Sequence, residues 1–77
     1  MAKEMTVEEL LAKIEPVQHL VGRKILHVRT SGWYTIRGFH IRESDLSVEF
    51  TYQSFHRTPV MFSRPLVELF DGRFEFR

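Results

Sequence analysis

The fold is decided by residues 22–42, which read GRKILHVRTSGWYTIRGFHIR. Before Gly22 the apolar residues recur at helical spacing, and after it they alternate with polar residues, which is the period of a strand. Residues 23–30 therefore predict one strand and residues 33–42 a second, joined by a turn at Ser31 and Gly32. Gly38 lies in the middle of the second strand, where it predicts a sharp bend or a bulge.

The alternation also assigns side chains to the two faces of these strands. In the first strand Leu26 and Val28 are expected to point inward, and His27 and Arg29 outward. In the second strand one side is expected to carry Trp33, Thr35, Phe39 and Ile41, and the other Tyr34, Ile36 and His40. We interpret Trp33 as a core residue. Aromatic residues on both sides of a bent strand are typical of a small barrel.

A helix is expected before the strands, over residues 6–21, with residues 1–5 as a frayed lead. Thr6 and Glu9 have the spacing of a capping box. Pro16 disfavours helical geometry at the residue before it, so the helix is expected to stop or kink at Glu15, resume, and close at Gly22. Apolar residues at helical spacing define one face of this helix: Val7, Leu10, Leu11 and Ile14.

Three further short strands are expected, over residues 46–53, 59–62 and 73–77. Pro59 opens the second of them, which favours an edge position. Between the last two, one helical turn is predicted over residues 65–70 with Ser63 as its cap. The expected core consists of Leu26, Val28, Ile36 or Phe39, Val48, Phe50, Val60, Phe62, Leu69, Phe74 and Phe76.

These elements predict an α+β fold in a single domain over residues 1–77: an N-terminal helix over residues 6–21 followed by a small, strongly bent five-stranded antiparallel barrel over residues 22–77. Residues 20–28 (LVGRKILHV), the Ser31-Gly32 turn and residues 36–39 (IRGF) resemble the opening of Sm-like domains. The resemblance implies a barrel of the Sm/SH3-like type. That family's RNA-contacting loop has an acid followed by an asparagine, and this chain has no asparagine, so the resemblance supports the barrel and not the uridine pocket. The tail, residues 62–66 with Phe70, is similar to small bacterial and phage barrels.

Composition argues against several function classes. The chain has no cysteine, so it offers no disulfide and no thiolate for zinc or catalysis. Its four histidines fit no metal motif, and its glycine spacing fits no nucleotide-binding loop. We therefore predict a protein that is not an enzyme and uses no cofactor and no metal. A cytoplasmic location with no membrane partner is expected, because no apolar run has the length of a signal peptide or a membrane span.

The distribution of charge is the main functional signal. Residues 16–42 contain no acidic residue and carry a net charge of +5, whereas residues 1–15 and residues 43–77 each carry −2. Small barrels bind single strands by stacking bases on aromatic side chains while arginines hold the phosphates. The candidate binding residues are Arg23, Lys24, Arg29, Tyr34, Arg37, His40 and Arg42.

The leading hypothesis is a non-catalytic module that binds single-stranded nucleic acid or another phosphate-bearing ligand. The alternative is a protein–protein interaction module, an inhibitor or adaptor of the kind that phages and mobile elements encode. A second alternative is a small-molecule-binding oligomer. Self-association into a dimer or a small ring is also expected, because the edge strand at residues 59–62 offers a surface for pairing.

Overall fold

A computed structural model of the chain describes residues 6–55 and 60–77. The elements of these residues are α1 (Val7–Gln18), β1 (Lys24–His27), β2 (Gly32–Ile41), β3 (Val48–Ser54), β4 (Met61–Pro65), the 3₁₀ helix η1 (Leu66–Leu69) and β5 (Phe74–Phe76). One α-helix thus accompanies a five-stranded antiparallel sheet in the order β4-β3-β2-β1-β5, which confirms the α+β class. Hydrogen bonds in the described residues leave β4 and β5 as the two edges, so the sheet is not closed.

Two sequence predictions concern residues that are not described. The frayed lead at residues 1–5 lies outside the described residues, and so does Pro59, the predicted opening of the edge strand. In the residues that are described, no helix is long and apolar enough to cross a membrane.

Helix α1 begins at the predicted capping box. The Thr6 hydroxyl accepts a hydrogen bond from the Glu9 backbone N–H at 3.1 Å, and the Glu9 carboxylate accepts one from the Thr6 backbone N–H at 3.2 Å. The helix does not stop at Glu15, because it contains Pro16, and it ends at Gln18, before the predicted end at residue 21. Proline near the end of a helix removes a single backbone bond, and Val17 beyond it packs against the core. Gly22, at φ +93°, completes the turn that follows.

A β-bulge in β2 decides which side chains enter the core. The register between β2 and β3 shifts between Ile36 and Gly38, so Arg37 is an extra residue. Tyr34 and Ile36 face the core before the bulge, and Phe39 packs against it afterwards. The predicted bulge at Gly38 is confirmed. The predicted faces of this strand are wrong, because they assumed unbroken alternation: Trp33, the expected core residue, is 41% exposed.

Strand β1 runs in the opposite phase to the one predicted. Ile25 is fully buried, whereas Val28, an expected core residue, is 47% exposed. The pairing explains this difference, because Ile25 lies opposite the inward-facing Tyr34 on one side and Phe76 on the other. Alternation then places His27 on the inner face as well, opposite Phe74.

The end of the chain corrects two further predictions. Strand β4 continues to Pro65 because it pairs with β3 as far as Glu49. Ser63 therefore lies inside the strand, opposite Thr51, and does not cap η1. Val60 and Phe62, both expected in the core, are exposed.

The sheet curls over its own inner face. The Phe74 ring in β5 lies 5.6 Å from Phe50 and 5.5 Å from Tyr52 in β3, although β2 and β1 separate these strands. Neighbouring strands are about 4.8 Å apart, so a flat sheet would hold β3 and β5 roughly 14 Å from each other. Curvature therefore gathers the buried core from β1, β2, β3 and β5 and from the segments beside the sheet: Leu20, Ile25, Ile36, Phe50, Tyr52, Leu69 and Phe74.

The phase of β1 can be tested with two substitutions. Ile25→Ala removes a fully buried side chain and should lower the free energy of unfolding by about 2–5 kcal/mol. Val28→Ala changes a side chain that is 47% exposed and lies one residue beyond the end of β1, so it should change this free energy by about 0.5 kcal/mol or less. Urea denaturation followed by circular dichroism measures both values, and equal losses would contradict the assigned phase.

Candidate functional site

The candidate site consists of two adjoining cavities at the inner face of the sheet. Their volumes are about 390 Å³ and about 170 Å³, and they share His27 and Arg64. Together we call them the arginine groove. It is lined by His27, Val28, Arg29, Thr30, Tyr34, Tyr52, Phe62, Arg64, Gly72 and Arg73.

Local hydrogen bonds bring the rim of this groove together. The turn between β1 and β2 has Ser31 at φ 58°, and it is fixed by a 2.8 Å hydrogen bond between His27 Nδ1 and Thr30 Oγ1. The Val28 backbone N–H donates to the carbonyl of Arg73 at 3.0 Å. That bond joins the turn to the loop before β5, so Arg29 and Arg73 lie at one rim.

Arg64 is the most firmly held cation of the groove. Its Nε donates to the hydroxyl of the buried Tyr52 at 2.7 Å, and Nη1 donates to Glu68 Oε1 at 2.8 Å. These bonds, that to Glu68 first, raise the pKa of Arg64 and keep it charged. The guanidinium carbon also lies 5.7 Å from the centre of the Phe74 ring. Two of its five N–H donors are occupied in this way, which leaves the others for a ligand.

Among the described residues, one arginine of the groove has no anionic partner. Arg73 donates to Asp71 at 2.9 Å and lies 3.6 Å from Glu68, the carboxylate that also binds Arg64. Arg29 forms no side-chain hydrogen bond and no ion pair within the described part of the chain. Three arginines therefore face two carboxylates.

The pKa of His27 reflects the positive charges that surround the groove. Its pKa is lowered, first by burial and then by the positive charges of Arg64, Arg29 and Arg73. The imidazole also lies 5.0 Å from the Phe74 ring. Because all three guanidinium groups act on this one imidazole, their positive potentials overlap where an anion would enter.

The floor of the groove is aromatic. The Tyr34 ring meets Tyr52 edge-on at 5.0 Å and Phe62 at 6.1 Å, and Tyr52 and Phe62 stack at 5.5 Å. Tyr52 is buried, whereas Phe62 is 43% exposed. Phe62 therefore presents a flat apolar surface beside the cations.

The structure divides the sequence-predicted binding residues among several places. Arg29 and Tyr34 line the arginine groove, Tyr34 from the core face and not from the outer face that the sequence predicted. Lys24 lines a separate groove on the outer face. Arg23 has its guanidinium 5.5 Å from the Phe76 ring, and Arg37 is exposed at the bulge.

His40 and Arg42 lie together at the far end of β2, where both bind an acidic side chain. Glu49 accepts from Arg42 at 2.6 Å and binds His40 Nε2 at 3.0 Å. Hydrogen bonds from Arg42 and then from His40 lower the pKa of Glu49. Asp45 adds a longer contact to Arg42 at 3.9 Å. The linear basic block therefore does not become one continuous basic surface.

Sequence analysis missed Arg64, Arg73 and His27. The two arginines fall in residues 43–77, whose net negative charge removed them from consideration. The alternation of β4, which places Phe62 and Arg64 on the same face, was the available signal for one of them. His27 was assigned to the outer face because the phase of β1 was reversed.

Comparisons with known proteins leave the function to be argued from this geometry. No protein-family model matches the chain, and neither a curated protein nor a solved structure was found to match it. In the described residues no three histidine, aspartate or glutamate side chains are grouped to hold a metal ion.

The effect of the arginine charges on the pKa of His27 can be tested without a ligand. Arg29→Gln removes one of the charges that lower the pKa of His27, so this pKa should rise while staying below its ordinary value, because burial and two arginines remain. Arg37→Gln, the matched control on β2, should leave it unchanged. The two values are read from the imidazole proton shifts in an NMR pH titration. An unchanged His27 pKa in the Arg29 variant would show that the charges do not converge.

Proposed function

We propose that this chain is a non-catalytic binding module that holds single-stranded nucleic acid, or another phosphate-bearing ligand, in the arginine groove. One observation carries the proposal. Arg29, Arg64 and Arg73 converge beside an exposed aromatic ring, so charge and a stacking surface lie within one groove. Proteins that bind single strands use this combination, with cations along the backbone and rings for the bases.

The phosphate is assigned to the side of the groove that Arg29 and Arg73 line. Arg29 has no anionic partner in the described residues, so a phosphate there gains a charge-assisted hydrogen bond without displacing an existing one. Arg64 contributes from a fixed position, because Tyr52 and Glu68 already orient its guanidinium. Such preorganisation lowers the entropy cost of binding.

The base is assigned to the Phe62 side of the groove. The Phe62 ring stacks on Tyr52 and meets Tyr34 edge-on, and these two contacts orient it. The Phe62 ring can stack only on a base that is not paired within a duplex, and this requirement supports a single strand as the ligand. Phosphate-bearing small molecules with an aromatic group meet the same requirements.

We also propose that the curled sheet belongs to the small-barrel type that the sequence resembles. Support comes from the two edges, which approach each other on the inner side. Arg64 in β4 lies over the Phe74 ring in β5 at 5.7 Å, although three strands separate them in the sheet. In this interpretation the arginine groove is the opening between the edges.

A protein partner is the second candidate, and exposed apolar residues on the outer face favour it. Trp33, Phe55 and Met61 are all exposed there. Aromatic residues and methionine are enriched in the buried centres of protein interfaces.

The proposed function is tested by titrating a fluorescent single-stranded oligonucleotide at several salt concentrations. Arg29→Ala should weaken binding and reduce the slope of log affinity against log salt by about one. Phe62→Ala should cost roughly 1–3 kcal/mol of binding free energy for a single strand, because it removes the stacking surface. Arg37→Ala is the matched control and should bind as the wild type does.

Two outcomes would overturn this assignment. Equal losses in the Arg29 and Arg37 variants would place the ligand on the wider basic block and not in the groove. No binding at low salt, together with a nuclease-treated pull-down that retains one protein, would favour the interaction module.

A further inference from the structure

Helix α1 leaves part of its apolar face uncovered. All twelve of its residues are described, and none is buried. Val7 is 72% exposed and Leu11 51% exposed. A helix of this length is marginal in water by itself, and most helical stability in proteins comes from packing an apolar face. Glu8 and Glu15 lie three and four positions from Leu11, so they flank the exposed stripe with negative charge.

A groove on the outer face of the sheet has the complementary chemistry. It has a volume of about 530 Å³ and is lined by Lys24, Trp33, Phe55 and Arg77. We call it the tryptophan groove. Its two rings are exposed, and the Arg77 guanidinium carbon lies 5.9 Å from the centre of the Trp33 ring. The groove is therefore apolar in the middle and basic at its rim.

One chain cannot place its own exposed stripe, formed by Val7 and Leu11, in its own tryptophan groove. Lys13 Nζ donates to the carbonyl of Leu46 at 2.7 Å, which fixes the middle of α1 beside the loop that follows β2. Trp33 lies at the opposite end of β2. The ten residues of this strand cover roughly 30 Å along its path, at about 3.3 Å per residue. The stripe and the groove are therefore presented at opposite ends of the molecule.

We propose that the tryptophan groove binds helix α1 of a second copy of this chain, and that the exchange is reciprocal. Val7 and Leu11 pack on the partner's Trp33 and Phe55, while Glu8 and Glu15 face the partner's basic rim. Each copy supplies one helix and one groove, so the two contacts are related by a two-fold axis and the assembly closes as a dimer. Charge complementarity selects this occupant. The tryptophan groove lies on the face opposite the arginine groove, and the dimer does not depend on the proposed function.

Sedimentation of the nucleic-acid-free full chain over a range of concentrations tests the apolar part of the contact. The wild type should show a monomer–dimer equilibrium. Leu11→Ser and Trp33→Ser should each raise the dissociation constant by about tenfold or more, because each removes an apolar anchor. Val67→Ser is the matched control: it removes an apolar residue that is 69% exposed, more than Leu11 or Trp33, but lies outside both patches, and the dimer should be unaffected. Circular dichroism checks that every variant is folded.

A charge exchange tests the pairing itself. The double variant Glu8→Lys, Glu15→Lys and the double variant Lys24→Glu, Arg77→Glu should each dimerise about tenfold or more weakly than the wild type, because like charges then face each other. An equimolar mixture of the two should recover a heterodimer, since both contacts again join opposite charges. A control variant with Arg37→Glu and Glu43→Lys changes charges outside both patches and should dimerise normally.

The proposal is overturned by either of two results. A wild-type chain that stays monomeric at the highest concentration reached excludes the contact. A dimer that ignores the charge reversals, or a mixture that recovers nothing, assigns the interface to another surface, such as the edges of the sheet.

Discussion

The extra residue at the β2 bulge is the constraint on which the rest of the structure depends. Before Arg37 the strand directs Tyr34 and Ile36 toward the core, and after it the strand directs Phe39 there. A regular strand would have turned one of these two sets to solvent. The bulge also increases twist and bending, which lets β2 contribute apolar side chains along its whole length to a sheet that curls on itself.

Curvature then determines where the charged residues lie. The register of β4 places Arg64 opposite Phe50, on the inner side of the sheet and against the hydroxyl of the buried residue Tyr52. A buried hydroxyl needs a hydrogen-bond partner, and a guanidinium needs water or an anion for its remaining donors. The core therefore cannot close over Arg64. The arginine groove is the space that results, and its cationic character follows from the same register.

The sequence predicts the elements of this fold better than their orientation. The capping box at Thr6 depends on neighbouring residues only, and the residue type at Gly38 marks the place of the bulge, so local sequence is enough to predict both. The buried face of a strand is harder to predict. Alternation with a period of two fits two arrangements equally well, and each of them buries the residues that the other exposes. Ile25 and Leu26 are both apolar, and only pairing with Tyr34 decides that Ile25 is buried.

The candidate site was predicted in part for a related reason. Counting charge along the chain identifies Arg29, but it also selects Arg42. In the folded sheet Arg42 is neutralised by Glu49, which lies on the neighbouring strand and outside the basic block. It overlooked Arg64 and Arg73, which approach Arg29 only because β4 and the loop before β5 fold back toward the first turn. Charge clusters made by strand pairing do not show in the linear sequence.

The hairpin between β1 and β2 contributes a neighbouring aromatic residue to each of the two grooves. Gly32 lies close under Tyr34: a Cβ at this position would come within 3.1 Å of the Tyr34 ring, so the absence of a side chain lets that ring lie against the turn. Tyr34 is then fixed in the floor of the arginine groove. Because successive residues of a strand point to opposite faces, fixing Tyr34 inward also fixes Trp33 outward, in the second groove. The close contact between Gly32 and Tyr34 thus orients Tyr34 in the arginine groove and Trp33 in the tryptophan groove.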